Sequence, residues 1–170
     1  MLEKAKLAEA GGADILICMS NTMHKVLSRI SDVISIPFIH IATPTVNAIK
    51  LQQLNTVGLI GTMPIMAEDY MRKAYEDSGI DIIVPSHYQQ KKIDQIIFEE
   101  LVKNVVTPES KQIYIDICND LVTKGAQGII LGCTEIFLLL QQKDLESIPL
   151  FNTTELHVDA AVQAALFQSD

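Results

Sequence analysis

The apolar positions of this chain fall into short, nearly continuous runs separated by longer amphipathic stretches. Ala13 to Met19 is almost entirely apolar, as expected for a parallel strand covered on both faces. Further strands are predicted over Pro37 to Ile41, Thr56 to Gly61, Asp81 to Val84, Gln127 to Gly132 and Pro149 to Phe151. Helical patterns lie between them. The first runs from Leu2 to Ala10 and ends at Gly11-Gly12. Ser20-Asn21-Thr22 reads as the cap of a helix reaching about Asp32, and Pro44 opens one to Leu54. Others are predicted after Thr62-Met63-Pro64 to Ser78, over Lys91 to Lys103, over Glu109 to Lys124, from Thr134, and over Thr154 to Phe167. Alternating strands and helices imply an α/β protein with parallel sheets and helices on both faces.

The pattern repeats. Gly12-Ala13-Asp14-Ile15-Leu16-Ile17-Cys18-Met19-Ser20 aligns without a gap on Gly125-Ala126-Gln127-Gly128-Ile129-Ile130-Leu131-Gly132-Cys133, an offset of 113 residues. Ser35-Ile36-Pro37-Phe38 aligns on Ser147-Ile148-Pro149-Leu150 at 112. A nearly constant offset indicates one ancestral unit used twice. The expected architecture is two pseudo-symmetric α/β/α lobes. The first comprises residues 1–41 plus 152–170, and the second residues 42–151. In the second lobe the strand Thr56 to Gly61 precedes the repeat; its counterpart in the first lobe falls before Met1. The first lobe is therefore expected to be incomplete, lacking its opening strand and helices.

Composition narrows the partners. A net charge of −8 and a pI near 4.9 disfavour nucleic acid and anionic membranes, though a local pocket on an acidic protein can still hold an anion. No apolar run reaches the roughly 18–20 residues of a membrane span. Glu3, Lys4 and Lys6 follow Met1 without an apolar stretch, so no signal peptide is expected. Three cysteines without tight spacing fit a reducing compartment, and a cytoplasmic location is expected.

The repeat places Ser20 and Cys133 at the same point, just past the C-terminal end of a strand, where open α/β sheets bind ligands. A thiol at such a turn meets backbone N–H groups and a helix N-terminus, which favour thiolate. The competing reading is a small buried residue in a tight turn. Asn21, Thr22, Thr62 and Thr134 are helix-start residues, either caps or donors to a substrate carboxylate. Glu135 either holds its turn or fixes a substrate ammonium. Lys91 and Lys92 read as a solvated helix start, with a lysine reaching a carboxylate as the sharper alternative. Cys18 and Cys118 read as core. The four histidines are scattered in sequence and show no metal spacing; His24 and His157 fall on helices, and His40 ends a strand. No P-loop, GxGxxG or HExxH is present, and nothing points to pyridoxal phosphate or a nucleotide.

Gly132-Cys133-Thr134-Glu135, after Ile129-Ile130-Leu131, resembles the second catalytic motif of aspartate/glutamate racemases. Ser20-Asn21-Thr22-Met23-His24 resembles their first motif, usually Cys-Asn-Thr-x-His. Val57-Gly58-Leu59-Ile60-Gly61-Thr62 and Lys92-Ile93-Asp94-Gln95-Ile96-Ile97-Phe98-Glu99-Glu100-Leu101 look like the family's intervening regions. The resemblance covers essentially the whole chain. It implies two α/β/α lobes about a pseudo-twofold axis, an active site between them, a homodimer, and racemisation without cofactor or metal. Two groups on opposite faces of Cα exchange the proton, and developing charge is stabilised at helix N-termini.

Carried onto this chain, the resemblance makes Cys133 the thiolate base and puts Ser20 on the opposite face. Asn21, Thr22, Thr62, Thr134, Glu135 and Lys92 contact aspartate or glutamate, and His24 stands behind them. The chain departs from the pattern in two places. Ser20 replaces the usual cysteine, and a Gly-Gly-Met-Ser-type N-terminal loop is absent. Two other readings remain: an inactive truncated amino-acid-binding or assembly module, and a one-cysteine relative that decarboxylates malonates.

Overall fold

The computed structural model describes residues 1–27 and 29–167. Its elements are α1 (Leu2–Ala10), β1 (Leu16–Ile17), β2 (Phe38–Ile39), α2 (Ala42–Leu51), β3 (Thr56–Gly61), α3 (Met63–Ala67), α4 (Asp69–Glu76), β4 (Asp81–Ile83), α5 (His87–Glu99), α6 (Pro108–Thr123), β5 (Ile129–Gly132), α7 (Ile136–Leu139), β6 (Leu150–Asn152) and α8 (Thr153–Phe167). Two parallel sheets result, one of β1 and β2, the other in the order β4-β3-β5-β6.

The repeat is reproduced in the pairing. Leu16 and Ile17 face Phe38 and Ile39, and Ile129 and Ile130 face Leu150 and Phe151. These are the same partners displaced by the sequence offsets. The larger sheet carries β3 and β4 beyond β5, whereas the smaller sheet has two strands among the described residues.

Period-two alternation divides the second lobe's core. Ile60, Ile129 and Leu131 turn toward α5 and α6, packing with Ile93, Ile97, Tyr114 and Leu121. Val57, Leu59 and Ile130 turn the other way, toward Ile49, Ile65 and Tyr75. The first lobe's core is smaller: Ala5, Leu27, Ile30 and Ile34 are buried, with Leu16 and Phe38 packed against them. Helix α8 packs against α2 and touches β2, β5 and β6, bridging the two sheets. Its predicted lobe runs to residue 170, of which 168–170 lie outside the described residues.

Several predicted elements are shortened or moved. The strand expected over Ala13 to Met19 pairs only at Leu16–Ile17. The helix expected from Ser20 to Asp32, which includes the undescribed Ser28, is instead two 3-10 turns, Thr22–Val26 and Ile30–Asp32. The cause is local. The Ser20 carbonyl would accept the His24 N–H in an α-helix, but the His24 ring Nδ1 takes that carbonyl at 2.8 Å. The His24 N–H then bonds Asn21 O, one residue nearer. The helix predicted through Ser78 breaks at Glu68, whose backbone is extended. The Lys91 helix begins earlier, at His87, behind a Ser86–Gln89 capping box. It ends at Glu99, with a 3-10 turn over Leu101–Lys103.

Gly61 and Gly132 lie opposite each other at the ends of β3 and β5. A Cβ on Gly132 would sit 2.9 Å from Ile60 O, and one on Gly61 would sit 2.9 Å from Gly132 O. Two absent side chains thus let the turns that follow, at Thr62 and Cys133, come together. We expect Gly132→Ala to destabilise the fold by about 1–3 kcal/mol through backbone displacement, read as a lower urea midpoint with an unchanged m-value.

Candidate active site between the two sheets

The turns after β1, β3 and β5 meet around a cavity of about 200 Å³. Ser20, Asn21 and Thr22 line it from the first lobe. Thr62, Cys133, Thr134 and Glu135 line it from the second. An apolar wall comes from Ile97 and Phe98 on α5 and Val102 in the turn beyond it. Larger hollows exist beside α1 and beside α2, but neither gathers these groups.

Direct bonds join the two halves. The Thr22 and Thr62 hydroxyls are 3.1 Å apart. Asn21 Nδ2 donates to Thr153 Oγ1 at 3.1 Å, and Thr153 donates to Leu131 O at 2.8 Å. Ser20 Oγ accepts from Met23 N at 3.4 Å, a long ST-turn bond within its own loop.

Around Cys133 the chemistry differs from the sequence expectation. Thr134 does not begin a helix; α7 starts at Ile136 and spans a single turn, so no long dipole points at the sulfur. The thiol donates to Glu135 Oε2 at 3.0 Å, and the Thr134 hydroxyl donates to the same oxygen at 2.6 Å. Burial pushes the thiol pKa up to about 12, and the Glu135 carboxylate adds to the rise. The backbone N–H groups of Glu135 and Thr134 do favour thiolate, but they are outweighed. Cys133 therefore rests as a thiol.

Lys92 lies on α5 and does not line the cavity; Ile97 and Phe98, further along the same helix, do. Cys118 is fully buried as expected, while Cys18 is only partly covered and lines the apolar hollow beside α1.

The histidines are not scattered in space. The rings of His24 and His40 lie 4.4 Å apart, and those of His24 and His157 lie 6.1 Å apart. Main-chain groups determine their tautomers. His24 donates from Nδ1 to Ser20 O and accepts at Nε2 from Ile41 N at 3.1 Å. His40 accepts at Nδ1 from Ala42 N, and His157 donates from Nε2 to Ile39 O. All three are held neutral. Burial lowers each pKa, His40 to about 4, and their mutual repulsion adds to the fall for His24 and His40. Among the described residues no set of three or more His, Cys, Asp or Glu side chains is arranged to hold a metal.

The family model described as Asp/Glu/hydantoin racemase matches residues 1–161. The chain belongs to this family. Its relatives include the broad specificity amino-acid racemase RacX of Bacillus subtilis, 24% identical over 98% of this chain and 71% of the relative. A candidate Asp/Glu racemase from Yersinia pestis superposes with a TM-score of 0.90 at 36% identity, over 97% of this chain and 72% of that one. An aspartate racemase homologue from Pyrococcus horikoshii gives 0.88 at 28% identity, with the same coverage. The chain thus spans about seven tenths of these relatives. The α/β architecture with parallel sheets is the racemase fold. No described helix is long and apolar enough to cross a membrane.

Neither the apolar wall nor the histidine cluster of this candidate site has a local signal in the sequence. Residues as far apart as His24 and His157 carry no spacing signal. The wall's one trace is the pair Ile97-Phe98 inside a stretch already recognised as family-like.

These protonation states have measurable consequences. Alkylation of Cys133, followed by peptide mapping, should be slow at pH 8 and rise about tenfold per pH unit, tracking the thiolate fraction. Glu135→Gln should speed it at pH 8 by removing the neighbouring charge. His40, depressed in the folded state, contributes stability that is full above about pH 6.5 and is lost as pH falls toward about 4, and the lowered His24 and His157 act in the same direction. The urea midpoint should drop across that window, and His40→Asn should flatten the drop.

Proposed function

We propose that the chain racemises an acidic amino acid, aspartate or glutamate, without a cofactor, by proton transfer on both faces of Cα. The observation that carries this reading is positional. Two turns related by the internal repeat, one bearing Ser20 and the other Cys133, line a single cavity. A reaction that inverts one carbon needs two proton-handling groups on opposite sides of it.

In this reading Cys133 is the base. Its thiol must first surrender a proton, and the Glu135 carboxylate already accepts its hydrogen bond. The α C–H bond then breaks, its proton passes to Sγ, and the electron pair stays on Cα, delocalised into the α-carboxylate. Hydroxyls of Thr22, Thr62 and Thr134 are within reach to bind that carboxylate as its charge grows. A proton reaches Cα from the other face, supplied by Ser20 or by a water it holds. A serine hydroxyl is a far weaker acid than a thiol, so Ser20 is the slower partner. We further propose that the lobes divide at residues 41/42 and 151/152, that the active form is a homodimer, and that it works in the cytoplasm.

The test is α-proton exchange in deuterated water, followed by NMR with each enantiomer of aspartate and glutamate. We expect exchange with at least one enantiomer, its loss in Cys133→Ala, and unequal initial rates from the two sides. Ser20→Cys should raise the inversion rate. Absence of exchange with all four substrates, or exchange that survives in Cys133→Ala, would overturn the reading.

A further inference from the structure

Thr153 opens α8 and lies outside the cavity, with no exposed surface. Its hydroxyl nevertheless connects the two half-sites. It accepts a hydrogen bond from Asn21 Nδ2, on the residue next to Ser20. It donates its own proton to the carbonyl of Leu131, two residues before Cys133. Both bonds span long sequence separations, 132 and 22 residues, and both are buried. The donor order is forced at one end. The Leu131 carbonyl can only accept, so the threonine proton points to it and its lone pairs face Asn21. The amide of Asn21 is thereby oriented with Nδ2 toward Thr153.

We propose that Thr153 is a positioning residue that sets the separation of the Ser20 and Cys133 turns. This assignment rests on the racemase reading above. It adds a residue that does not touch the substrate and that the catalytic motifs do not contain. Its physical basis is the cost of leaving buried partners unpaired. Without the hydroxyl, the buried Asn21 Nδ2 and Leu131 O each lose the side-chain bond that Thr153 supplies. The first-lobe turn is the half that gives way. Its 3-10 backbone carries few main-chain bonds, whereas Cys133 directly follows a paired strand. Two-sided transfer is sensitive to such a shift, because a displacement of about 1 Å can cost roughly a hundredfold in rate.

The mechanism supplies a readout that loss of stability does not produce. With both faces in place, the proton removed by Cys133 is replaced from the Ser20 side, so solvent deuterium enters only the inverted product at early times. With the Ser20 side displaced, the carbanion is more often reprotonated from the Cys133 face after the thiol has exchanged with solvent. Deuterium then appears in the starting enantiomer, without inversion.

The experiment compares Thr153→Val and Thr153→Ser with the unsubstituted chain. It records early deuterium content in recovered substrate and in product, alongside thermal midpoints. Valine keeps the shape and removes the hydroxyl; serine keeps the hydroxyl and removes the methyl. We expect the ratio of inversion to washout to fall at least tenfold in Thr153→Val and to return to within about twofold of the original in Thr153→Ser. If the valine variant does not fold, Thr153→Ala below its melting temperature replaces it. An unchanged ratio in the folded valine or alanine variant, with inversion and exchange equally reduced or both unaffected, would overturn the assignment. So would a serine variant that behaves like valine. Absence of any exchange in the unsubstituted chain would overturn the racemase reading itself, and with it the role given to Thr153.

Discussion

The parallel ladder between β3 and β5 is the constraint from which the rest follows. Its register brings Gly61 level with Gly132, and both strands end there. Neither residue has a side chain, so the backbones approach closely at the point where each leaves the sheet. Thr62 and Cys133 are the next residues, and the ladder alone makes them neighbours. A slip of one residue would turn Ile60 and Leu131 out of one core and into the other. The placement of the chemistry and the packing of the second lobe therefore depend on the same set of hydrogen bonds.

The first lobe reaches the site differently. Its sheet has two strands of two residues each, too short to orient a turn by ladder bonds alone. Side chains do that work. His24 binds the carbonyl of Ser20 and the N–H of Ile41, His157 binds the carbonyl of Ile39, and Thr153 binds Asn21. Buried polar groups with directional partners take the place of strand pairing, which makes the Ser20 turn dependent on the protonation state of the His24 ring.

Legibility in the sequence followed the range of the interaction. Thr56–Gly61 and Leu2–Ala10 have the same bounds in sequence pattern and structure, because a buried strand and a glycine-terminated helix are specified by their own residues. The repeat disclosed the matched turns, since the same apolar run was written twice. The Ser20 segment has the residue propensities of an α-helix, but a histidine ring, rather than a backbone N–H, takes the Ser20 carbonyl, and propensities do not register that competition. The thiolate expectation for Cys133 failed for a similar reason. The N–H groups near the sulfur are implied by its place at a turn, but burial and the carboxylate two residues away depend on how the turn folds. The resemblance places Lys92 at the substrate, but on α5 it is Ile97 and Phe98 that line the cavity.

The contacts that order the Ser20 turn have a consequence for biosynthesis. All four strands of the larger sheet lie between Thr56 and Asn152, so that lobe is an uninterrupted stretch of chain. The Ser20 turn emerges from the ribosome before it, whereas Thr153, which binds Asn21, follows the last of those strands. Until then the turn is held by its own His24 ring, on the Ser20 carbonyl and the Ile41 N–H, without the Thr153 bond. The bonds that tie the Ser20 turn to β5 through Thr153 can therefore form only once the larger sheet has been synthesised through to the start of α8.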